Sequence, residues 1–123
     1  MSQIPPEPAA TLRGMVTGDP EVLEGLLEVQ VQNVEESGLG RRVHALVCLG
    51  ALVALDAPLP SYARQVAAAL GAGAGVDDLV GVLVAVAPEV GAVRVAAAAH
   101  HVVRALQDAR EDVSAVGDLP PLA

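Results

Sequence analysis

The stretch SYARQVAAALGAGAGVDDLVGVLVAVAPEVGA, residues 61–92, decides the fold of this chain. It predicts two helices joined by a tight turn, because Gly71 and Gly73 supply the positive φ angles that end a helix. Asp77 and Asp78 then place negative charge in the first turn of the second helix, where the helix dipole favours it. We expect the two helices to pack as an antiparallel hairpin. Their apolar faces are Tyr62, Val66, Ala69 and Leu70, and Leu79, Val82, Leu83 and Val86.

Helical patterns continue on both sides of this hairpin, and we find no strand pattern in the chain. Asp19 and Pro20 are a helix start signal, with Asp as the N-cap and Pro in the first helical position. Pro88 and Gly91 predict a break between residues 87 and 91. The predicted helices beyond the hairpin cover residues 8–15, 20–37, 41–55 and 92–113, the last with an apolar face of Val95, Ala98, Val102 and Leu106.

The fold class predicted from these segments is all-α, with about five to six helices around the central hairpin. The domain organisation is an N-terminal arm over residues 1–18, a helical domain over residues 19–113 and a C-terminal tail over residues 114–123. Since the helix at residues 41–55 is apolar on every side beyond His44, we expect it to be the most buried helix.

Composition favours association of this chain with copies of itself. The chain has 123 residues, enough for one domain with a single core. Hydrophobic residues make up 53%, but they are mostly Ala, Val and Leu, and Tyr62 is the one aromatic residue. Such small side chains bury little area for each helix, so apolar surface is left over for an oligomeric contact.

Charge and length exclude several classes of partner. The net charge is -8 and the chain contains no Lys, so the basic surface that nucleic acids require is absent. The same acidity disfavours an anionic membrane surface. The longest apolar run, residues 45–55, is too short to span a bilayer. With one cysteine and no secretory signal pattern, the chain is predicted to be cytoplasmic, without nucleic-acid or membrane partners.

The order of segments resembles the carboxymuconolactone decarboxylase family, which includes the AhpD-like alkylhydroperoxidases. The residues that carry the resemblance are GLGRRVHALVCLGALVAL at 38–55, QVAAALGAGAGVDDLVGVL at 65–83, and Gly91 before a final Ala-rich helix. The resemblance implies a small all-α protein that assembles as a homotrimer or as a homohexamer of two trimers. It also implies a pocket at the subunit interface, for lyase-like chemistry on a small acidic metabolite.

Several family positions differ in this sequence. The peroxidase branch has a Cys-x-x-Cys pair where this chain has PLPS at residues 58–61, so we expect no thiol-dependent peroxidase chemistry. Gln65 stands where the family tends to have His, and a neutral amide orients a substrate without shuttling protons. Ala85 and Glu89 stand where the family usually has His and Tyr. No cofactor is expected.

His44, Gln65 and Glu89 form the candidate catalytic pocket. They come from three successive helical segments and, by the resemblance, take positions at or near those that the family uses for chemistry. Burying His44 unpaired would cost on the order of 1–3 kcal/mol. We therefore expect Gln65, Glu89, water, a neighbouring subunit or a ligand to meet it. The alternative is a satisfied core or interface histidine.

The remaining polar residues each allow a structural interpretation beside a functional one. Cys48 lies one turn after His44, where it is either inert or a thiol with a lowered pKa. His100 and His101 point about 100° apart on a helix and cannot chelate one metal together, so no metal site is expected. Arg94, His101 and Arg104 form either an anion pocket or a solvated helix face. Arg41 and Arg42 are either family-motif residues or structural partners of Glu35 or Glu36.

Three interpretations of function follow from the sequence. The chain is a family member that binds or transforms a small acidic metabolite, a catalytically degenerate oligomeric scaffold or partner-binding module, or an unrelated helical bundle. A buried cavity lined by His44, Gln65, Glu89 or Arg94 would favour the first interpretation. A fully packed interior would favour the second, and a different helix topology would favour the third.

Overall fold

The structure is a computed structural model that describes residues 7–27 and 30–109, without the side chains of residues 30 and 31. The described residues form seven helices and no strand, so the predicted all-α class is confirmed. The chain divides into two compact units, residues 1–40 and residues 41–123. The helices are α1 (Pro8–Thr17), α2 (Pro20–Leu26), α3 (Gln30–Ser37), α4 (Arg41–Leu55), α5 (Leu59–Gly71), α6 (Val76–Val90) and α7 (Ala92–Ala109).

In the first unit, the turn between α1 and α2 follows the predicted signals. Gly18 has a φ of 72°, and the carboxylate of Asp19 accepts a hydrogen bond from the Glu21 N–H at 3.0 Å. Asp19 is thus the N-cap of α2, with Pro20 as the first helical residue. Gly14 allows α1 to approach Val22 closely, since a Cβ at Gly14 would lie 2.5 Å from a methyl group of Val22.

The prediction of one continuous helix over residues 20–37 is wrong. α2 ends at Leu26, and the Leu27 N–H donates to the carbonyl of Glu24, three residues earlier. Such a bond tightens the last turn of a helix. Gly25 weakens the helix further, because glycine is a poor helix former. Residues 28 and 29 lie outside the described part of the chain, and α3 follows as a separate helix. The boundary between the two compact units follows Gly40, whereas the predicted N-terminal arm ends at residue 18. The predicted C-terminal tail, residues 114–123, lies outside the described residues.

The second unit packs α4 and α6 side by side in the same direction. Arg42 pairs with Asp78 at the start of both helices, and Gly50 faces Val86 further along. The two residues of each pair are 36 positions apart in sequence, so the helices run in the same direction. α5 packs chiefly on α7 and α4. The core consists of Ala45, Leu49, Val53, Tyr62, Val66, Ala69, Ala74, Leu79, Leu83, Ala98, Val102, Ala105 and Leu106.

The glycine turn joins α5 and α6 as predicted, but the two helices are not each other's main packing partners. Tyr62 of α5 stacks on His101 of α7, and Val86 of α6 faces Gly50 of α4. The unit therefore centres on the pairs α5–α7 and α4–α6 rather than on the predicted hairpin. The predicted inward face of α7 is confirmed, with Val102 as one of its buried residues.

The break predicted at Pro88 lies further along, because α6 continues through Pro88 to Val90. A proline in a helix removes one hydrogen bond to the carbonyl four residues earlier. Here that carbonyl belongs to Val84, an exposed residue, so water can satisfy it. Gly91 ends the helix with φ 88° and ψ 160°, a combination that is essentially restricted to glycine.

α4 is not buried on all sides, contrary to the expectation from its composition. Ala45, Leu49 and Val53 lie in the core, whereas Val43 and Val47 on the other side of the helix are exposed, Val47 by 56%. α5, α6 and α7 pack on α4 and leave these two valines open to solvent. No helix in the part of the chain that the structure describes is long and apolar enough to cross a membrane.

Candidate functional site

The structure brings two of the three predicted pocket residues close together. His44 in α4 is 5% exposed and Gln65 in α5 is 8% exposed. The Gln65 side-chain N–H donates to the carbonyl of Ala45, the residue after His44, at 3.2 Å. Gln65 thus ties α5 to α4 beside His44. This bond uses one N–H of the Gln65 side-chain amide, so Gln65 acts as a structural cross-link between the two helices.

Glu89 does not share this location. It is exposed on the last turn of α6, about 16 Å along the helix from Asp78. Because Asp78 lies beside Arg42, two residues before His44, Glu89 is at the opposite end of the α4–α6 pair. A catalytic role for His44, Gln65 and Glu89, and an acidic metabolite as ligand, stay predictions.

Cys48 makes the predicted contact with His44, since its Sγ lies 3.7 Å from the His44 Nδ1. Burial raises the pKa of the Cys48 thiol. A raised pKa keeps the sulfur protonated, whereas the thiolate is the nucleophile. Of the two alternatives for Cys48, the structure therefore favours the inert thiol, and the absence of peroxidase chemistry stays a prediction.

The three residues of the possible anion pocket each have a different partner within the chain. Arg94 donates to the carbonyl of Ala54 at 3.0 Å, near the end of α4, where a cation suits the helix dipole. The ring of His101 stacks on the only aromatic side chain, with centroids 5.0 Å apart. Arg104 pairs with Asp108 one turn later at 3.4 Å. These contacts favour the structural interpretation over an assembled anion pocket.

In the described residues, no group of three or more His, Cys, Asp or Glu side chains is placed to hold a metal ion. Within the second unit, Arg42 pairs with Asp78 at 2.6 Å; a pairing of Arg41 or Arg42 with Glu35 or Glu36 stays a prediction. Sequence reasoning missed this pair because its members are 36 residues apart and no local pattern connects them. The Asp78 carboxylate also accepts a hydrogen bond from the Gly75 N–H at 2.9 Å, as an N-terminal cap of α6.

Acid is expected to weaken the second unit through Asp78. The Gly75 N–H, and then the Arg42 guanidinium, hold the pKa of the Asp78 carboxyl below its ordinary value. Its stabilising contribution is therefore complete above the unfolded-state pKa and is lost as pH falls below about 4, through the folded-state pKa. Urea unfolding of Asp78→Asn should show lower stability at neutral pH and a flatter acid profile than the wild type. Asp77→Asn removes the same charge from the same helical turn without these two contacts, so it should change stability and the acid profile less than Asp78→Asn; equal changes in the two variants would contradict the assignment.

Sequence reasoning also missed an open groove between α4 and α6, with a volume of about 370 Å³. Gly50 lies in its floor, where a Cβ would already be 3.4 Å from a methyl group of Val86. The sequence signal that could have indicated this groove is that α4 is apolar on all sides. The lining residues have no polar side chain; they are Val43, Leu46, Val47, Gly50, Val82, Ala85 and Val86, which we call the α4–α6 face.

Comparison with protein-family models, with curated proteins and with solved structures finds no match for this chain. The family resemblance therefore stays a prediction.

Proposed function

We propose that this protein is a self-associating helical scaffold whose copies join through the α4–α6 face. The observation that carries the proposal is the apolar groove itself, open to solvent on a chain with a net charge of -8. Contiguous apolar surface that is exposed to solvent marks an interaction site. The face offers no hydrogen-bonding side chain and no ionisable group in its lining, so it suits packing rather than chemistry.

The driving force for this association is burial of valine and alanine side chains. Val43, Val47 and Ala85 are exposed in the single chain and would be removed from water by a partner. Each square ångström of apolar surface buried contributes roughly 25 cal/mol. Gly50 and Ala85 keep the surface low, which allows another helix to approach closely. The two buried polar residues His44 and Gln65 need no part in this association.

A pair of neighbouring substitutions in α6 tests the proposal. Ala85 lines the groove, whereas the adjacent Val84 is 68% exposed and does not line it. Ala85→Glu would bury a carboxylate without a partner in the contact, at a cost of about 3 kcal/mol or more. That cost corresponds to self-association weakened about 100-fold or more. Val84→Glu adds the same charge outside the face and should leave association unchanged.

Light scattering after size-exclusion chromatography, with sedimentation velocity at several concentrations, measures the effect. Helical circular dichroism checks that both variants fold. We expect a wild-type oligomer at micromolar concentration, a dissociated Ala85→Glu variant and an intact Val84→Glu variant. A monomeric wild type, or equal behaviour of the two variants, would overturn the proposal.

A further inference from the structure

We infer that Gly91 is a hinge that decides whether α7 packs on its own chain or on a second copy. In the closed chain, α7 packs chiefly on α5 of the same chain. In the second state, α6 and α7 join into one straight helix, and two copies exchange their α7 helices. This inference concerns α7 and does not use the α4–α6 face, so it goes beyond the proposed self-association.

The hinge consists of one residue, because α6 ends at Val90 and α7 begins at Ala92. The helical hydrogen-bond pattern reaches this residue from both sides. The Gly91 N–H donates to the Ala87 carbonyl at 3.0 Å, and the Gly91 carbonyl accepts from the Val95 N–H at 3.2 Å. What interrupts the helix is the pair of angles at Gly91, a φ of 88° and a ψ of 160°. Since this combination is essentially restricted to glycine, the closed chain depends on the residue type at this one position.

Helical angles at Gly91 would produce one helix over residues 76–109, about 50 Å long. In the closed chain, the first N–H groups of α7 and the last carbonyls of α6 have no partner within their own helices. In the continuous helix, the N–H groups of residues 92–94 would donate to the carbonyls of residues 88–90. Pro88 does not prevent this, because α6 already continues through it. The straight state therefore gains helical hydrogen bonds across the hinge.

α7 cannot stay on its own chain once the helix is straight. In the closed chain, α7 packs beside α6 as well as on α5, and a segment that continues a helix cannot also lie beside it. The buried residues Ala98, Val102 and Leu106 of α7 would then face water, which disfavours an open single chain. A second copy offers an identical α5, so each of two chains can supply the α7 that the other lacks.

The exchanged pair also forms a contact that the closed chain lacks, around the two hinges. The bond from Arg94 to the Ala54 carbonyl places the start of α7 beside the end of α4. Leu55 and Val93, at these two helix ends, are 74% and 85% exposed in the closed chain. Two copies that meet around their hinges would bury such side chains, and this burial favours the exchanged pair.

Gly91→Ala tests the hinge, with Gly81→Ala in α6 as the matched control. At either glycine, a Cβ would meet no neighbouring group within 4 Å, but only Gly91 has a positive φ. Both proteins carry Ala85→Glu, which removes association through the α4–α6 face. The strain of alanine in the closed chain and its preference for helix count at both hinges of a dimer. We therefore expect Gly91→Ala to raise the dimerisation constant about 100-fold or more, and Gly81→Ala to leave it unchanged.

The distance between a site in α6 and a site in α7 distinguishes exchange from other association. Val80 and Arg104, both exposed, are replaced with cysteine in a Cys48→Ala background and spin-labelled. These positions are about 36 Å apart along the continuous helix and closer in the closed chain, where α7 packs beside α6. Labelled protein is refolded from urea with a large excess of unlabelled protein of the same variant. Most exchanged dimers then contain one labelled chain, so electron–electron resonance measures the distance within that chain.

The inference expects a Gly91→Ala dimer with the longer distance. Two glycines inserted after position 91 of this variant let the chain reverse direction, and they should restore the monomer with the shorter distance. A Gly91→Ala monomer, a dimer with the shorter distance, loss of helical circular dichroism or a dimer that persists after the insertion would each overturn the inference. So would the longer distance in Gly81→Ala.

Failure of the proposed function has a different signature. If the Ala85→Glu protein that keeps Gly91 stays oligomeric with the shorter distance, a surface other than the α4–α6 face associates. The distance in Gly91→Ala still reports whether α7 is exchanged.

Discussion

Replacing Tyr62 with alanine is expected to lower the free energy of unfolding by about 3–5 kcal/mol, a large share of the stability of a domain of this size. Tyr62 is 1% exposed, is the one aromatic residue of the chain and stacks on His101. Its ring lies in a core built mainly from Ala, Val and Leu. Because these small neighbours have little freedom to fill the vacated volume, the cavity should persist. Urea unfolding followed by circular dichroism measures the loss.

Tyr62→Phe is the matched control, because it keeps the ring and removes the hydroxyl. Within the part of the chain that the structure describes, this hydroxyl makes no hydrogen bond. Burial first, and the nearby Asp56 carboxylate second, raise the pKa of Tyr62, in keeping with a poorly solvated phenol. Removing a buried donor without a partner is close to neutral or stabilising. A loss for Tyr62→Phe as large as that for Tyr62→Ala would show that the hydroxyl, and not the ring, holds this part of the core.

Local signals in the sequence were sufficient for most helix boundaries. Asp19 caps α2 and Gly91 ends α6, because capping and positive φ angles depend on one or two neighbouring residues. The position of Pro88 was harder to interpret, since its tolerance depends on the exposure of a carbonyl one turn earlier. That exposure is a property of the packed unit and not of the local pattern.

Long-range pairings explain what the sequence did not determine about the candidate site. The bond from Gln65 to the carbonyl of Ala45 crosses 20 residues, and the pair of Arg42 and Asp78 crosses 36. The family resemblance placed Glu89 in the same candidate pocket as His44, whereas the parallel packing of α4 and α6 places the two residues near opposite ends of this helix pair. Helix direction relative to a neighbour is set by which faces pack, and small apolar residues match many faces equally well.

The two sides of α4 should respond differently to the same kind of substitution. Leu49 is fully buried in the core, so Leu49→Ala should lower the free energy of unfolding by about 2–5 kcal/mol at every protein concentration. Val47 lies on the exposed side in the α4–α6 face. In dilute solution, Val47→Ala should change stability by no more than about 0.5 kcal/mol.

Above the dissociation constant for self-association, Val47→Ala should lose stability that the wild type gains, because only the associated chain buries this side of α4. Urea unfolding of both variants below and above that concentration separates the two effects. A large loss for Val47→Ala in dilute solution would mean that α4 is buried on both sides within one chain, as its composition alone suggested. A loss for Val47→Ala that stays small at every concentration would mean that the exposed valines of α4 do not take part in association, because the contact that should protect them does not form.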